Sequence, residues 1–343
     1  MKNALLCPFK YNKLGVDWSP QLEWVAQALI SEDINVLVHE ELSFKNDLNL
    51  KFWKDEKIYL SVYNHCDLPE VKFKGFPLSE LVWFFKPTVP DQFSTSLDEL
   101  GYGSYSSITY DKPNYNEYTE AIVNEFYENR VSECKSSHAC KWGQGHFEEI
   151  DLPHEDYYLI IGQCAGDSVV NRQDFGGYWE KLENIIREIV TVDKSRKVLV
   201  KLHPYTNGPI ENPNQTNTIE PITKKFKKIS PLVEVYSDHS SIHSFLPNAR
   251  AVFVGNSGAG IEAMMYDKPI ISFCFPEYHW VTYDLRKTCD IWSALDLTWF
   301  DLVAQRKFLY WYMEKYCFYD YNTAERRVKE LLEEEVEYKT LFL

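Results

Sequence analysis

The residues best suited to chemistry lie in a glycine-bearing turn near the middle of the second half. The stretch "VFVGNSGAGIEAMMYDKPIISF", residues 252–273, has the pattern of a strand, a tight turn, a helix and a second strand. Asn256, Ser257 and Gly258 precede the helix, and Glu262 lies one turn into it. A helix N-terminus offers N–H groups and partial positive charge, and glycine allows close approach of a ligand. The pattern predicts a phosphate cradle with Glu262 near a ribose hydroxyl; a turn that Ser257 merely caps is the alternative.

A histidine ends another apolar stretch, "VLVKLHPY". The proline at 204 stops strand pairing and leaves the His203 imidazole at the carboxyl edge of the sheet. There His203 can donate to a phosphate, although a His-Pro pair at a strand end also has purely structural uses. The glycine turn, which we place at an equivalent edge of the same domain, favours the phosphate role.

Two acidic clusters supply candidate carboxylates. In "LIIGQCAGDSVV", Gln163, Asp167 and Ser168 follow a strand, and the carboxylate can act as nucleophile, base or hydroxyl ligand. The alternative for Asp167 is an Asx turn or a helix cap. In "LDELGYGSYSSIT", Asp98 and Glu99 precede a Gly-Tyr-Gly turn. Acidic pairs on loops are usually just solvated, so residue types alone do not select this second cluster.

Several catalytic patterns are missing from the sequence. It contains no Asp-x-Asp pair, no P-loop, no Gly-x-Gly-x-x-Gly after the first strand and no Gly-x-Ser-x-Gly. Metal-dependent nucleotide-sugar chemistry of the two-carboxylate kind, P-loop NTPase chemistry and serine hydrolysis are therefore disfavoured.

The elements that must position these residues alternate regularly in the second half. Strands are predicted in "DYYLIIGQ", "KVLVKLHP", "VEVYSD", "AVFVGN" and "PIISFCF", and helices in "GGYWEKLENIIREIVTV", "SIHSFLPNA" and "GIEAMMYD". Apolar strands that alternate with helices indicate a parallel, doubly wound α/β sheet covered on both faces. Ligands of such sheets lie at the carboxyl ends of the strands, where the polar clusters fall.

The first half is less regular. Strands are predicted in "NALLCPF", "INVLVHEEL" and "KIYLSVYNHC", and helices in "SPQLEWVAQALISED", "PLSELVWFFKP" and "YNEYTEAIVNEFYENRV", the last with an apolar stripe of Ile122, Val123 and Phe126. A polar, irregular stretch from about Val131 to Asp151 suggests a boundary. We therefore predict domains at 1–150 and 151–310 and a helical tail at 311–343 that packs back on the first domain.

Composition limits the partners and the compartment. The chain has 343 residues, which is long enough for two domains. Its net charge of -15 disfavours nucleic acid as a partner. Its 8 cysteines show no metal-ligand spacing, and we expect reduced thiols. No apolar run is long enough to span a membrane, and the N-terminal apolar segment is too short for a secretory signal. We expect a cytoplasmic protein whose membrane contact, if any, is peripheral.

Four stretches, taken in order, resemble a known family. These are "DELGYGSYSSITYDKP", "GQCAGDSV", "VKLHPYTNG" and "SDHSSIHSFLPNARAVFVGNSGAGIEAMMYDKPIISFCFPEYHW". They look like the successive motifs of bacterial β-Kdo transferases, which build the lipid linker of capsules and add Kdo to lipopolysaccharide O-antigens. The resemblance spans roughly residues 95–285. The last motif is shared with many GT-B transferases, and the order of all four points to the Kdo group.

The resemblance implies a fold, a donor and a mechanism. It implies two GT-B-like Rossmann-type domains, CMP-Kdo as donor, and a retaining reaction with Asp167 as nucleophile. Glu99 matches the acid/base glutamate of the family's Glu-Asp-Gly motif, with Leu100 in place of the aspartate. By the same matching, His203, Ser257 and Glu262 contact CMP. The other expected donor-binding residues are Gln163, Ser168, Lys201, Pro204, Asn256 and Gly258.

The chemistry of CMP-Kdo suits a site without a metal cofactor. Its single phosphate can be neutralised by a helix N-terminus and a histidine. The Kdo carboxylate needs a basic group, for which Lys201, Arg172 and Arg286 are candidates. The expected partners are this donor, a glycan or glycolipid acceptor and other polysaccharide-assembly proteins. A different nucleotide sugar, a catalytically silent nucleotide-binding scaffold and a sugar-nucleotide epimerase of similar fold are the alternatives.

Overall fold

The fold consists of two α/β units joined by two chain crossings. The computed structural model describes residues 2–7, 19–38, 51–52, 57–63, 79–91, 94–139, 150, 152–153, 156–165, 168–171, 177–203, 206, 219–237 and 240–341. The first unit comprises Met1–Asp111 and Tyr310–Leu343, and the second comprises Lys112–Leu309.

A seven-stranded sheet forms the centre of the first unit. Its strands are β1 (Lys2–Cys7), β2 (Ile34–Val38), β3 (Lys51–Phe52), β4 (Leu60–Tyr63), β5 (Leu81–Pro87), β6 (Thr95–Asp98) and β13 (Cys317–Phe318). The order across the sheet is β13-β6-β5-β4-β1-β2-β3. The strands from β5 to β3 are parallel, whereas β6 runs antiparallel to both of its neighbours. The predicted β-α-β start is therefore present, with an antiparallel pair added at one edge.

The helices of the first unit come from both ends of the chain. They are α1 (Ser19–Ser31), α2 (Ser107–Tyr110) and α13 (Tyr321–Leu341), with a 3-10 turn at Gly103–Tyr105 and a π-helical stretch at Tyr312–Tyr316. Helix α13 packs along α1, and Lys329 on α13 lies 3.6 Å from Glu32 just after α1. The prediction that the C-terminal helical segment packs back on the first domain is confirmed.

A six-stranded, fully parallel sheet forms the centre of the second unit. Its strands are β7 (Tyr157–Ile161), β8 (Val198–Lys201), β9 (Val233–Tyr236), β10 (Ala249–Val254), β11 (Ile270–Ser272) and β12 (Tyr283–Asp284). Their order is β12-β11-β10-β7-β8-β9. The central strands are buried throughout, as expected for a sheet that is covered on both faces. The five strands predicted from the second half are all present.

Short helices cover this second sheet. They are α3 (Glu120–Phe126), α4 (Ser132–Ser136), α5 (Ser168–Asn171), α6 (Tyr178–Val192), α7 (Ile219–Lys227), α8 (Ile242–Phe245), α9 (Ala259–Met265), α10 (Leu285–Thr288), α11 (Ile291–Asp296) and α12 (Leu302–Trp311), with a π-helical stretch at Tyr127–Val131. Helix α6 shows why they form: Leu182, Ile186 and Ile189 are fully buried, while Glu183 and Arg187 pair on the outer face. No described helix combines the length and the hydropathy that a membrane span requires.

The prediction of a helix at residues 77–87 of the first half is wrong. The stretch "PLSELVWFFKP" holds β5, which lies between β4 and β6. Trp83, Phe84 and Phe85 are consecutive and all buried, which suits a central strand covered on both faces better than a helix with one apolar stripe. In the apolar stripe predicted for α3, Val123 and Phe126 are buried, but Ile122 is 43% exposed.

The division between the units falls between residues 111 and 112, whereas the sequence pattern places it near residue 150. Side chains of the intervening segment explain the difference. The Tyr127 hydroxyl donates to the Met264 carbonyl at 3.1 Å, and the Lys135 ammonium donates to the Met265 carbonyl at 3.2 Å. Both contacts satisfy carbonyls at the C-terminal end of α9, so the segment belongs with the second sheet.

Candidate functional site

The polar motif residues of the second unit gather at one edge of its sheet. Gln163, His203, Asn256 and Cys274 each lie two positions after the last residue of β7, β8, β10 and β11. Because these strands are parallel, their carboxyl ends meet at the same edge. Three separate sequence motifs therefore converge there.

A pair of amide side chains fixes the centre of this edge. The Gln163 side-chain amide donates to Asn256 Oδ1 at 2.7 Å, and Gln163 Oε1 accepts the Asn256 backbone N–H at 2.9 Å. The Gln163 N–H donates to the Tyr178 hydroxyl at 2.8 Å, and Asn256 Nδ2 donates to the Val169 carbonyl at 2.8 Å. A buried network with satisfied partners holds its side chains in one arrangement. Both predicted donor-binding amides are thus held rigidly and tie β7, β10 and α5 together.

Gly255 is required for this amide pair. A Cβ at position 255 would overlap Gln163 Oε1 and would lie 3.2 Å from Cys274 Sγ. We expect Gly255→Ala to lower the free energy of unfolding by about 1 to 3 kcal/mol through overpacking. Chemical denaturation of Gly255→Ala, Gln163→Ala and the double variant measures this. If the clash is the cause, the alanine at 255 costs much less in the Gln163→Ala background; equal costs in the two backgrounds would contradict it.

The glycine turn before α9 is held from within the unit. The Ala259 N–H donates to Ser257 Oγ at 3.2 Å, and the Gly260 N–H donates to the Ser257 carbonyl at 3.1 Å. The buried Tyr278 hydroxyl donates to the same carbonyl, and a Cβ at Gly260 would overlap the Tyr278 ring. Ser257 therefore has a structural role in the turn, and glycine is needed at 260 because the tyrosine packs against its backbone.

The first-turn N–H groups of α9 are largely used inside the protein. Those of Ala259, Gly260, Ile261 and Glu262 all donate to atoms of residues 257 and 258. These four N–H groups, which the predicted phosphate cradle would offer to a ligand, therefore already have acceptors within the protein. Glu262 is buried, with 5% of its surface exposed. Burial, and to a smaller extent the charge of Glu262, raise the pKa of Tyr266 to about 12.

A cysteine and a histidine lie together at the neighbouring strand ends. Cys164 Sγ is 3.4 Å from His203 Nδ1. A thiol that donates to Nδ1 leaves the proton of the neutral imidazole on Nε2, where it can be donated to an anion. Lys201, at the end of β8, is 5% exposed, and its ammonium contacts the Leu202 carbonyl at 3.4 Å. The edge therefore holds a histidine and a buried lysine next to the amide pair.

Several predicted site residues lie wholly or partly outside the described structure. Asp167, Pro204 and Arg172 are outside the described residues, and Ser168 is described only as the first residue of α5. Arg286 is described: its guanidinium pairs with the Asp284 carboxylate at 2.9 and 2.6 Å. Of the three basic candidates for the Kdo carboxylate, Arg286 is thus engaged by an acid of its own unit, and Lys201 lies at the strand-end edge.

In the first unit, the acidic pair at 98 and 99 is split between two environments. Asp98, the last residue of β6, is fully buried. Its Oδ1 accepts the N–H groups of Leu100, Gly101 and Ser107 at 2.8, 3.0 and 3.0 Å, and its Oδ2 accepts the Ser107 hydroxyl at 2.7 Å. Asp98 is not a solvated loop acid; it organises the turn that follows β6.

Glu99 lies at the surface of the same turn. Although its side chain is exposed overall, the surrounding atoms desolvate its carboxyl group. This desolvation, together with the charge of Asp98, raises the pKa of Glu99 from 4.5 to about 7. A carboxyl group with this pKa can both donate and accept a proton near neutral pH.

The sequence pattern missed the residues that support these motifs. Tyr178 and Tyr278 fix the strand ends of the second unit, and Asp98 fixes the turn of the first. The sequence has 23 tyrosines, and no spacing distinguishes the two that matter here. Among the described residues, no group of three or more histidine, cysteine, aspartate or glutamate side chains is arranged to hold a metal ion.

Known proteins share this fold. The chain is similar to the β-Kdo 2,7 transferase of Thermosulfurimonas dismutans KpsC, with 13% identity, a TM-score of 0.52 and coverage of 96% of this chain and 99% of that one. It is also similar to the β-Kdo 2,4 transferase of the same KpsC, with 13% identity, a TM-score of 0.51 and coverage of 82% and 83%. No curated protein sequence matches the chain. At these identities the similarity shows the fold, and the predicted two-domain α/β architecture is confirmed.

Family membership rests on the sequence match. Residues 105–295, more than half of the chain, match the family described as capsule polysaccharide biosynthesis protein. The matched region begins in the turn organised by Asp98, spans the described strands and helices at the edge that gathers Gln163, His203 and Asn256, and ends in α11. The chain belongs to the family of capsule polysaccharide biosynthesis proteins.

Proposed function

We propose that this protein is a glycosyltransferase of capsule polysaccharide synthesis that moves Kdo from CMP-Kdo to a glycan or glycolipid acceptor with retention of configuration. The observation that carries the proposal is the convergence of Gln163, His203 and Asn256 at one strand-end edge, since these residues come from three of the stretches that resemble the successive transferase motifs. Family membership and the fold shared with two β-Kdo transferases support it.

The donor binds at this edge of the second unit. Its phosphate lies against the Ser257–Gly258 turn and accepts a hydrogen bond from His203 Nε2, which carries the imidazole proton when the Cys164 thiol donates to Nδ1. Lys201 is the group we assign to the Kdo carboxylate, because it is the last residue of β8 and therefore lies at this strand-end edge. These contacts neutralise the leaving phosphate with protein groups.

Retention follows from two displacements. In the first, the Asp167 carboxylate attacks the anomeric carbon, the bond from that carbon to the phosphate oxygen breaks, and CMP leaves. In the second, an acceptor hydroxyl attacks the same carbon, the bond to Asp167 breaks, and Glu99 takes the proton of the hydroxyl. The raised pKa of Glu99, about 7, is suited to that proton transfer.

Nucleotide selectivity tests the donor. We expect CMP to raise the melting temperature of the protein, and UDP and GDP to leave it unchanged, because binding to the folded state stabilises it. Stabilisation by UDP or GDP instead would assign another nucleotide sugar. Stabilisation by CMP with no transfer to any acceptor would indicate a catalytically silent scaffold.

His203→Ala should weaken CMP binding by about 1 to 3 kcal/mol, the range of a charge-assisted hydrogen bond. Isothermal titration calorimetry gives this value. His138→Ala is the matched control, because His138 follows α4, with its ring 5.6 Å from that of His243, and does not follow a strand end. Unchanged affinity in His203→Ala would reduce this histidine to a structural role.

Transfer should not require a divalent metal ion, because the proposed donor carries a single phosphate that protein groups can neutralise. We expect equal initial rates of CMP release with EDTA and with added magnesium. Activity that EDTA abolishes and magnesium or manganese restores would refute this expectation.

A further inference from the structure

The C-terminal segment reaches the end of β6, where the candidate acid/base residue follows. Strand β13 pairs antiparallel with β6, with Cys317 opposite Ser96 and Phe318 opposite Thr95. This register places Tyr316, the residue before β13, beside the C-terminal end of β6. The Tyr316 hydroxyl donates to Asp98 Oδ2 at 2.8 Å, and both groups are buried.

A second contact from the same segment holds β6 one residue earlier. Arg327 on α13 donates from Nε to the Leu97 carbonyl at 3.1 Å, and its guanidinium lies 5.5 Å from the centre of the Tyr316 ring. The arginine is buried, with 7% of its surface exposed. Burying an arginine is costly without such partners, so these contacts fix its position.

Asp98 transmits these contacts to the turn. Its carboxylate accepts hydrogen bonds from the tyrosine on one side and from the backbone of Leu100, Gly101 and Ser107 on the other. Glu99 lies between Asp98 and this bonded backbone, so the position of its Cα follows that of Asp98. The Tyr316 hydroxyl, more than two hundred residues away in sequence, therefore helps to fix the position of Glu99.

We infer that Tyr316 and Arg327 are positioning residues for the acid/base carboxylate Glu99, acting through Asp98 and β6. This inference deepens the proposed function and rests on the role of Glu99 in it. It assigns the C-terminal segment a part in catalysis besides its packing on α1.

The charged groups that face Glu99 agree with this assignment. Asp98 and Glu334 of α13 raise its pKa, and Arg327 of α13 lowers it. Two of the three charges come from the C-terminal helix. Removing the positive charge of Arg327 should therefore move the pKa of Glu99 above its value of about 7.

Tyr316→Phe tests the positioning role, and Tyr312→Phe is its matched control. Both tyrosines are buried in the same π-helical stretch, and the Tyr312 hydroxyl lies 2.9 Å from Thr88 Oγ1. We expect Tyr316→Phe to lower kcat about tenfold with CMP affinity unchanged, and Tyr312→Phe to keep the wild-type kcat. Equal kcat values in the two variants would overturn the positioning role.

A second measurement does not depend on activity. The pKa of Glu99 is read from the carboxyl carbon NMR signal that disappears in Glu99→Gln. We expect this pKa to rise in Arg327→Gln and to stay at the wild-type value in Tyr312→Phe. An unchanged pKa in a folded Arg327→Gln would overturn the coupling. If Arg327→Gln does not fold, Arg327→Lys is the alternative, because lysine retains the charge but lacks the planar guanidinium. In Arg327→Lys we expect the wild-type pKa of Glu99 and a lowered kcat.

Failure of wild-type protein to transfer Kdo would refute the proposed function, whereas the NMR result would still decide the coupling between Arg327 and Glu99.

Discussion

Asp167→Asn should reduce turnover by several orders of magnitude while CMP affinity stays nearly unchanged. The asparagine keeps the size of the side chain and most of its hydrogen-bonding capacity, but it cannot act as the nucleophile in a double displacement. The prediction comes from the match of "GQCAGDSV" to the transferase motif, since Asp167 is outside the described residues. Steady-state CMP release and calorimetric CMP binding measure the two quantities.

Asp193→Asn provides the comparison for a purely structural aspartate in the same unit. Asp193 accepts the Ser195 N–H at 2.9 Å and the Tyr158 hydroxyl at 3.0 Å, so its replacement should lower stability and leave turnover unchanged. If Asp167 only closed an Asx turn, its replacement by alanine would lower stability by about 1 kcal/mol and leave turnover per folded molecule unchanged. Full activity in Asp167→Asn would end the nucleophile assignment.

Glu99→Gln should lower kcat by about 10²- to 10⁴-fold, the usual contribution of a general acid or base. Glutamine fits the same turn, because Asp98 accepts the backbone hydrogen bonds that organise it. Stability and CMP affinity should therefore stay close to the wild-type values. Circular dichroism melting and calorimetry provide these controls.

The pH profile distinguishes Glu99 from other groups. A carboxyl group with a pKa of about 7 is protonated below that pH and ionised above it. Because Glu99 must be ionised to accept the acceptor proton, kcat should fall as pH drops through about 7, and this limb should vanish in Glu99→Gln. A limb that persists at the same pH in Glu99→Gln would assign it to another residue.

In the second unit, five of the six strands could be predicted from the sequence. Its strands are short, apolar runs between helices with clear periodicity, and polar residues directly follow the strand ends. The convergence of Gln163, Asn256 and His203 follows from parallel strand direction alone. What the pattern could not give is the mutual bonding of the two amides, because it depends on the order of β7 and β10 in the sheet.

The first unit shows where sequence patterns fail. The run containing Trp83, Phe84 and Phe85 is apolar without alternation, and its pairing with β4 and β6 identifies it as a central strand. In the sequence Asp98 resembles any acidic loop residue. Its buried environment depends on β13 and Tyr316, which come from the C-terminal part of the chain. Long-range pairing of this kind leaves no local signal, so the environment of Glu99 could not be predicted.

Intact mass spectrometry of the protein incubated with CMP-Kdo and no acceptor tests the double displacement at Asp167. We expect release of CMP together with a protein species heavier by one Kdo residue, located on Asp167 by peptide mapping and absent in Asp167→Asn. Transfer of Kdo to an acceptor with inverted configuration, or an adduct mapped to another residue, would contradict it.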